Sequence, residues 1–173
     1  MNTTYDVKTL IEEVRAGNSV SAERLYQKLI SPVFAFVTYR TATRDDAKDI
    51  SQDCIVEVFR ALPRFTYQSE GAFHAFVFTI VRRQLAKYYG HAKRHATEEL
   101  SPTVAAPSDS PETTLALKTA LEGLDECSRE IVVLHHWSRY TFGEIATILD
   151  MTEEAVRVRH HRAKATLKSL LTK

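Results

Sequence analysis

Asp45, Asp49, Asp53 and Glu57 recur every fourth residue, and far downstream Arg157, Arg159, Arg162, Lys164, Lys168 and Lys173 follow Glu154 with no further acid among them. Neither set is equipment for making or breaking bonds. At helical spacing a four-residue repeat lays its side chains along one stripe, so the acids draw one negative line and the cations crowd a second helix. Like charges four apart cost a helix about 0.2–0.5 kcal/mol per pair. The acidic stripe is therefore either a docking face for a basic partner or a solvated surface. The basic helix is either a nucleic-acid reader or a solvated bundle face. The chemistry in question is recognition by charge.

A third set mixes rings with cations. Arg82, Arg83, Lys87, Lys93 and Arg94 form an acid-free stretch, and Phe78, Arg82, Tyr89 and Lys93 fall near one side of it at helical spacing. Such a stripe suits a single nucleic-acid strand, because bases stack on rings while cations track phosphates. The alternative is that Phe78 and Tyr89 pack against neighbouring helices.

Other side-chain chemistry is sparse. His91 and His95 stand four apart, and His135–His136 and His160–His161 are adjacent pairs, but no acid or cysteine sits at ligand spacing beside His91. Cys54 and Cys127 lie far apart without a CxxC, so they read as reduced, buried thiols. No metal and no cofactor is expected. Without a Ser/His/Asp order, a Gly-rich phosphate loop or a carboxylate pair in an apolar pocket, neither an enzyme nor a small-molecule substrate is expected.

These side chains need helices to carry them. Glycine and proline are scarce at five each, and apolar residues recur at intervals of three and four, which predicts an all-α protein. Helices are expected over Tyr5–Ala16, from about Ser21 until Pro32 breaks or kinks it, over Arg44–Leu62 and over Ala72–Tyr89, with Gly90 fraying the last. "TEELSPTVAAPSDSPETT", Thr97 to Thr114, holds three of the five prolines and reads as a flexible linker. Four more helical segments follow: Leu115–Leu124, Ser128–Trp137, Phe142–Leu149 and Glu153–Leu171. The plan is two small helical domains, residues 1–96 and 115–173, joined by residues 97–114. "MNTTYDVKTL" lacks the apolar stretch of a signal peptide and no run is long enough to span a bilayer, so a cytoplasmic protein without membrane insertion is expected.

The C-terminal segments form a helix-turn-helix pattern. Thr141 and Glu144 make a capping box, Thr152 caps the next helix, and Asp150 stands in the turn, where a left-handed residue is required. Val156, Ala163 and Leu167 would face inward, leaving Arg157, Val158, Arg159, His161 and Arg162 to meet base edges in a major groove.

"DAKDISQDCIVEVFRALPRF" followed by "GAFHAFVFTIVRRQLAKYY" resembles the second conserved region of bacterial RNA polymerase sigma factors. "ALEGLDECSREIVVLHHWSRYTFGEIATILDMTEEAVRVRHHRAKATL" resembles their fourth. Their order, with only a linker between them, is similar to the compact extracytoplasmic-function (ECF) group. The resemblance implies that Asp49, Gln52, Asp53 and Glu57 dock on the clamp coiled coil of the β′ subunit of core RNA polymerase. It implies that Tyr67, Phe78, Arg82, Arg83 and Lys87 capture the −10 strand of promoter DNA with a base flipped out, and that Arg157, Val158, Arg159, His161 and Arg162 read the −35 duplex. It further implies an anti-sigma factor as partner, and because the chain stops soon after the recognition helix no further C-terminal sensing domain is expected. A linker of about 18 residues reaches at most about 60 Å, close to 17 base pairs at about 3.4 Å each. The chain departs from the family at Phe76, where Trp is common, at Arg83 for Asn, at Asp150 for Gly and at His160 for an inward Leu. The rival reading is a stand-alone helix-turn-helix activator or repressor, weakened by the lack of an evident ligand pocket or dimer heptad.

Overall fold

The computed structural model describes residues 6–95, 117 and 119–171, with side chains left aside over 91–95. Its described residues are all helix, turn or coil. The first half holds α1 (Val7–Arg15), α2 (Ser19–Thr38), α3 (Arg44–Ala61), a 3-10 turn (Leu62–Arg64) and α4 (Glu70–His95). The second holds helical residues 119–122, then α5 (Glu126–His136), α6 (Phe142–Leu149) and α7 (Glu153–Leu171). The expected linker falls outside the described residues.

Local rules account for most boundaries. Asn18, rather than Ser21, caps α2 by accepting from the amides of Val20 and Ser21. Thr43 caps α3 and Asp125 caps α5. Thr141 and Glu144 make the full reciprocal capping box on α6, and Thr152 Oγ1 accepts from the Ala155 amide 3.2 Å away at the start of α7. Asp150 ends α6 at φ 54° and ψ 52°, in the left-handed region.

Two expected helix breaks do not occur, one on α2 and one on α4. Pro32 neither ends nor divides α2, which runs through it from Ser19 to Thr38. Proline removes one rung of the ladder, but Leu25, Leu29, Val33 and Phe36 form one buried face across it, and that packing carries the helix over the defect. Gly90 likewise does not end α4, which continues to His95. A single interior glycine costs about 1 kcal/mol relative to alanine, too little to stop a long helix.

The two halves share one core. Ile11, Leu25, Leu29, Phe36, Val58, Phe73 and Phe78 from the first half and Ile131, Leu134, Ile145 and Val156 from the second belong to one contiguous buried cluster. The first helix of the helix-turn-helix, α6, lies along α4, and α5 touches α2. A Cβ on Gly71 would come within 3.4 Å of Thr147 Oγ1, a measure of how closely α4 and α6 approach. The two domains therefore pack as one body rather than standing apart.

Candidate nucleic-acid interface

The acidic stripe lies where the helical spacing puts it. Ala47, Ser51, Cys54, Ile55 and Val58 turn α3 inward, leaving Asp49, Gln52 and Asp53 exposed. Burial, followed by the charge of Asp53, pushes the Cys54 thiol up to about 12, so it stays protonated. Glu57 is half-buried, 2.9 Å from Arg60 Nη1 and 3.7 Å from Arg83 Nη2. Among the described residues neither Asp49 nor Asp53 has an ion-pair partner, so their charge is free for a basic surface. Beside Gln52 a groove lined by Tyr26, Ile55, Val56 and Phe59 opens between α2 and α3. Sequence reading missed this groove. The exposed Val56, adjacent to the acidic Glu57, was its signal.

The expected strand-capturing set divides. Arg83 and Lys87 are exposed and Tyr67 is half-exposed. Phe78 requires a correction: it is fully buried, edge-on to Phe36 at 5.1 Å and to Tyr140 at 5.5 Å, so it packs between the halves instead of offering a ring to a base. Burying a phenyl contributes about 1.5–3 kcal/mol. Arg82 is partly covered, with Nη2 3.3 Å from Glu130 Oε2 and Nη1 donating to the Ile148 carbonyl at 3.3 Å. Tyr89 donates to the Arg40 carbonyl at 2.7 Å, and Tyr88 donates to Asp46 Oδ2 at 3.2 Å. The Tyr89 hydroxyl ties α4 to the turn between α2 and α3, and that of Tyr88 ties it to the first turn of α3. Phe76 stacks on Phe65 at 4.6 Å.

Arg40 and Glu130 form an ion pair between the halves that sequence reading overlooked. Glu130 is 8% exposed, a nearly buried acid facing Arg82 on one side and Arg40 Nη2, 2.9 Å away, on the other. Its sequence signal was a lone acid on the apolar face carrying Cys127, Ile131 and Leu134. His74 also spans the halves, edge-on to Tyr140 at 4.7 Å.

The recognition helix keeps its outer face open. Val156 and Ala163 are buried, while Arg157, Val158, Arg159, His161 and Arg162 are exposed. Arg157 Nε donates to Glu153 Oε1 at 3.0 Å and its guanidinium lies 5.1 Å from the Phe142 ring centroid. These contacts hold the side chain near the N-terminal end of α7. Arg159 reaches Asp125 Oδ1 at 3.4 Å. Hydrogen bonds from Ser128, and secondarily the charge of Arg159, hold the Asp125 carboxyl below its ordinary range. His160 is buried as expected and meets His136, with 2.9 Å between their Nε2 atoms. Burial, followed by His135, His136 and Lys164, pushes its pKa down to about 4.

Comparison with known proteins accords with this geometry. Residues 25–95 match the family model for sigma-70 region 2, and residues 114–167 match that for sigma-70 region 4. The ECF RNA polymerase sigma factor ShbA of Streptomyces griseus is 35% identical over 140 residues, covering 73% of this chain and 72% of ShbA. The ECF sigma factor BldN of Streptomyces coelicolor is 27% identical over 171 residues, covering 94% of this chain, which spans 64% of BldN. The fold matches, at a TM-score of 0.68 and 22% identity, the sigma factor RpoE of Bartonella quintana in complex with the anti-sigma factor NepR, covering 87% of this chain and 96% of that one.

Proposed function

The chain belongs to the extracytoplasmic-function group of RNA polymerase sigma factors, which direct promoter-specific transcription initiation, and we propose that it divides that task between its two halves. Asp49, Gln52 and Asp53, with Glu57 at the end of the stripe, dock on the clamp coiled coil of the polymerase β′ subunit. Arg82, Arg83, Lys87 and Tyr67 grip the −10 strand, while Arg157, Val158, Arg159, His161 and Arg162 read the −35 duplex. The observation that carries the reading is the separation of surfaces: on α3 the exposed Asp49 and Asp53, without an ion-pair partner among the described residues, and on α7 exposed cations. The protein contributes recognition and leaves bond making to the polymerase, which places it in the cytoplasm.

The packed arrangement adds a condition. α6 covers Arg82, and Tyr140, just before it, covers Phe78 on α4, whereas α3 and the outer face of α7 stay open. Docking on polymerase therefore precedes strand capture, and the halves separate between the two steps. An anti-sigma factor is the natural antagonist. Its occupancy of the groove beside Gln52 would block docking and prolong the packed state.

Binding of labelled full-length chain to core RNA polymerase, with an Asp49→Lys/Asp53→Lys variant alongside, tests this. The expected result is tight binding by the wild type, weakened by at least about 100-fold in the variant, close to 2.8 kcal/mol. Absence of binding by folded wild type would favour the stand-alone regulator instead.

A further inference from the structure

His135, His136 and His160 are distant in sequence as a set but adjacent in space. One imidazole nitrogen from each lies within 4.8 Å of the others. His135 and His136 occupy the last turn of α5, and His160 sits on the inner face of α7, where it is 8% exposed. We propose that these three histidines form a binding site for a borderline divalent transition-metal ion, zinc first among them, that fastens the recognition helix to the helix before the turn.

The geometry of His135 carries much of the argument. Its Nδ1 lies 3.0 Å from the Tyr140 carbonyl oxygen. A carbonyl only accepts, so Nδ1 holds the proton and Nε2 presents a lone pair. An imidazole anchored through its other nitrogen to a backbone carbonyl is the usual outer support of a metal-ligating histidine. The ring is further fixed by stacking on Phe142, with centroids 4.3 Å apart and planes at 20°. His136 and His160 are stacked at 5.1 Å with both Nε2 atoms facing each other. Their 2.9 Å separation is a few tenths of an ångström short of the roughly 3.3 Å expected for two nitrogens about 2.0–2.1 Å from a tetrahedral zinc. A small rotation of the exposed His136 opens that gap.

The donor set restricts the ion. Three neutral nitrogens and no carboxylate or thiolate exclude calcium and magnesium, which take oxygen ligands. Imidazole suits zinc, copper and nickel. Exposure of His136 leaves solvent access for a fourth ligand. An ion here would bridge α5 and α7 beside Phe142, on which Arg157 rests. Occupancy is thus read at the DNA-facing helix.

The test uses the full chain, chelator-treated and free of any histidine tag, titrated with zinc by calorimetry and with cobalt(II) by visible absorption. The expected result is one equivalent of zinc per chain, a cobalt d–d band of nitrogen-ligated form, and a thermal midpoint that rises with zinc. His136→Gln, a surface change, and His160→Leu should each weaken zinc binding roughly ten-fold or more. Wild-type binding no tighter than that of His136→Gln would overturn the proposal, as would an unchanged one-equivalent site in that variant. Should His160→Leu fail to fold, His136→Gln decides alone.

Discussion

Arg82 Nη2 lies 3.3 Å from Glu130 Oε2, joining α4 of the first half to α5 of the second. Glu130 also faces Arg40 at 2.9 Å, so one nearly buried carboxylate balances two guanidinium groups from the other half. With Phe78 against Tyr140 and Tyr39 against Trp137 at 4.9 Å, the junction is an apolar seam whose register an ionic clasp sets.

Removing the acid leaves Arg40, only 12% exposed at its side chain, with the exposed Glu126, 3.4 Å away, as its remaining counter-charge. Breaking one side of a buried pair costs about 3–5 kcal/mol, and partial exposure of Arg82 places this case near the lower end. Glu130→Ala is therefore expected to lose about 3 kcal/mol in urea denaturation and to bind single-stranded −10 DNA more tightly without polymerase. Unchanged stability and strand affinity would show that the clasp does not hold the halves together.

Among the described residues Arg157 contacts the exposed Glu153 and the face of the half-buried Phe142. Arg157→Ala should cost the fold little, yet weaken −35 duplex binding by about 1–3 kcal/mol if it reads a base. Polymerase binding should be unaltered. Competition binding on matched and mutated −35 duplexes separates lost specificity from lost charge, since loss of a phosphate contact would lower both affinities alike.

Acidification should loosen the seam through His74. Burial lowers its pKa below the ordinary value of 6.5, outweighing Glu144 and Glu70, which raise it, while Lys28 lowers it further. No hydrogen bond joins Nδ1 to Glu144 Oε1 although they lie 3.5 Å apart, so the carboxylate gives only field. The unfolded chain then binds the proton more readily than the folded one. Stability from this group is present above about pH 6.5 and declines as pH falls below it. His136 and His160 shift the same way, so the informative quantity is the drop in urea midpoint from pH 7.5 to 5.5 in wild type against His74→Leu. A smaller drop in the variant is expected, and an equal drop would remove His74 from the account.

Asp150 holds φ 54° at the turn between α6 and α7. A left-handed residue with a Cβ costs about 1–2 kcal/mol, partly offset by the greater freedom glycine loses on folding. Asp150→Gly is expected to raise stability by about 0.5–1 kcal/mol in thermal unfolding, with −35 affinity unchanged. A lower midpoint would mean the Asp150 side chain contributes a contact that outweighs its backbone strain.

Local elements were legible because local physics sets them. Thr141, Glu144, Asp150 and Thr152 delimit α6 and α7 through hydrogen bonds and dihedrals that span a few residues. The four-residue repeat of Asp45, Asp49, Asp53 and Glu57 places an acidic line on α3 whatever α3 packs against, and resemblance to two sigma regions supplied its partner. Pro32 and Gly90 misled for the same reason: each is a local penalty of about 1–3 kcal/mol, and whether a helix survives it depends on packing that no short window displays.

By itself, then, the sequence determined the helical class, the helix-turn-helix and the charge carried by each exposed face, since periodicity and capping act within one element. Only the tertiary structure decided what lies between the elements. It turned Phe78 from a base platform into a seam residue, set Glu130 between Arg40 and Arg82, and gathered His135, His136 and His160 across 24 residues of chain. Those outcomes depend on which apolar faces meet, and burial between two helices is a property of the pair rather than of either sequence.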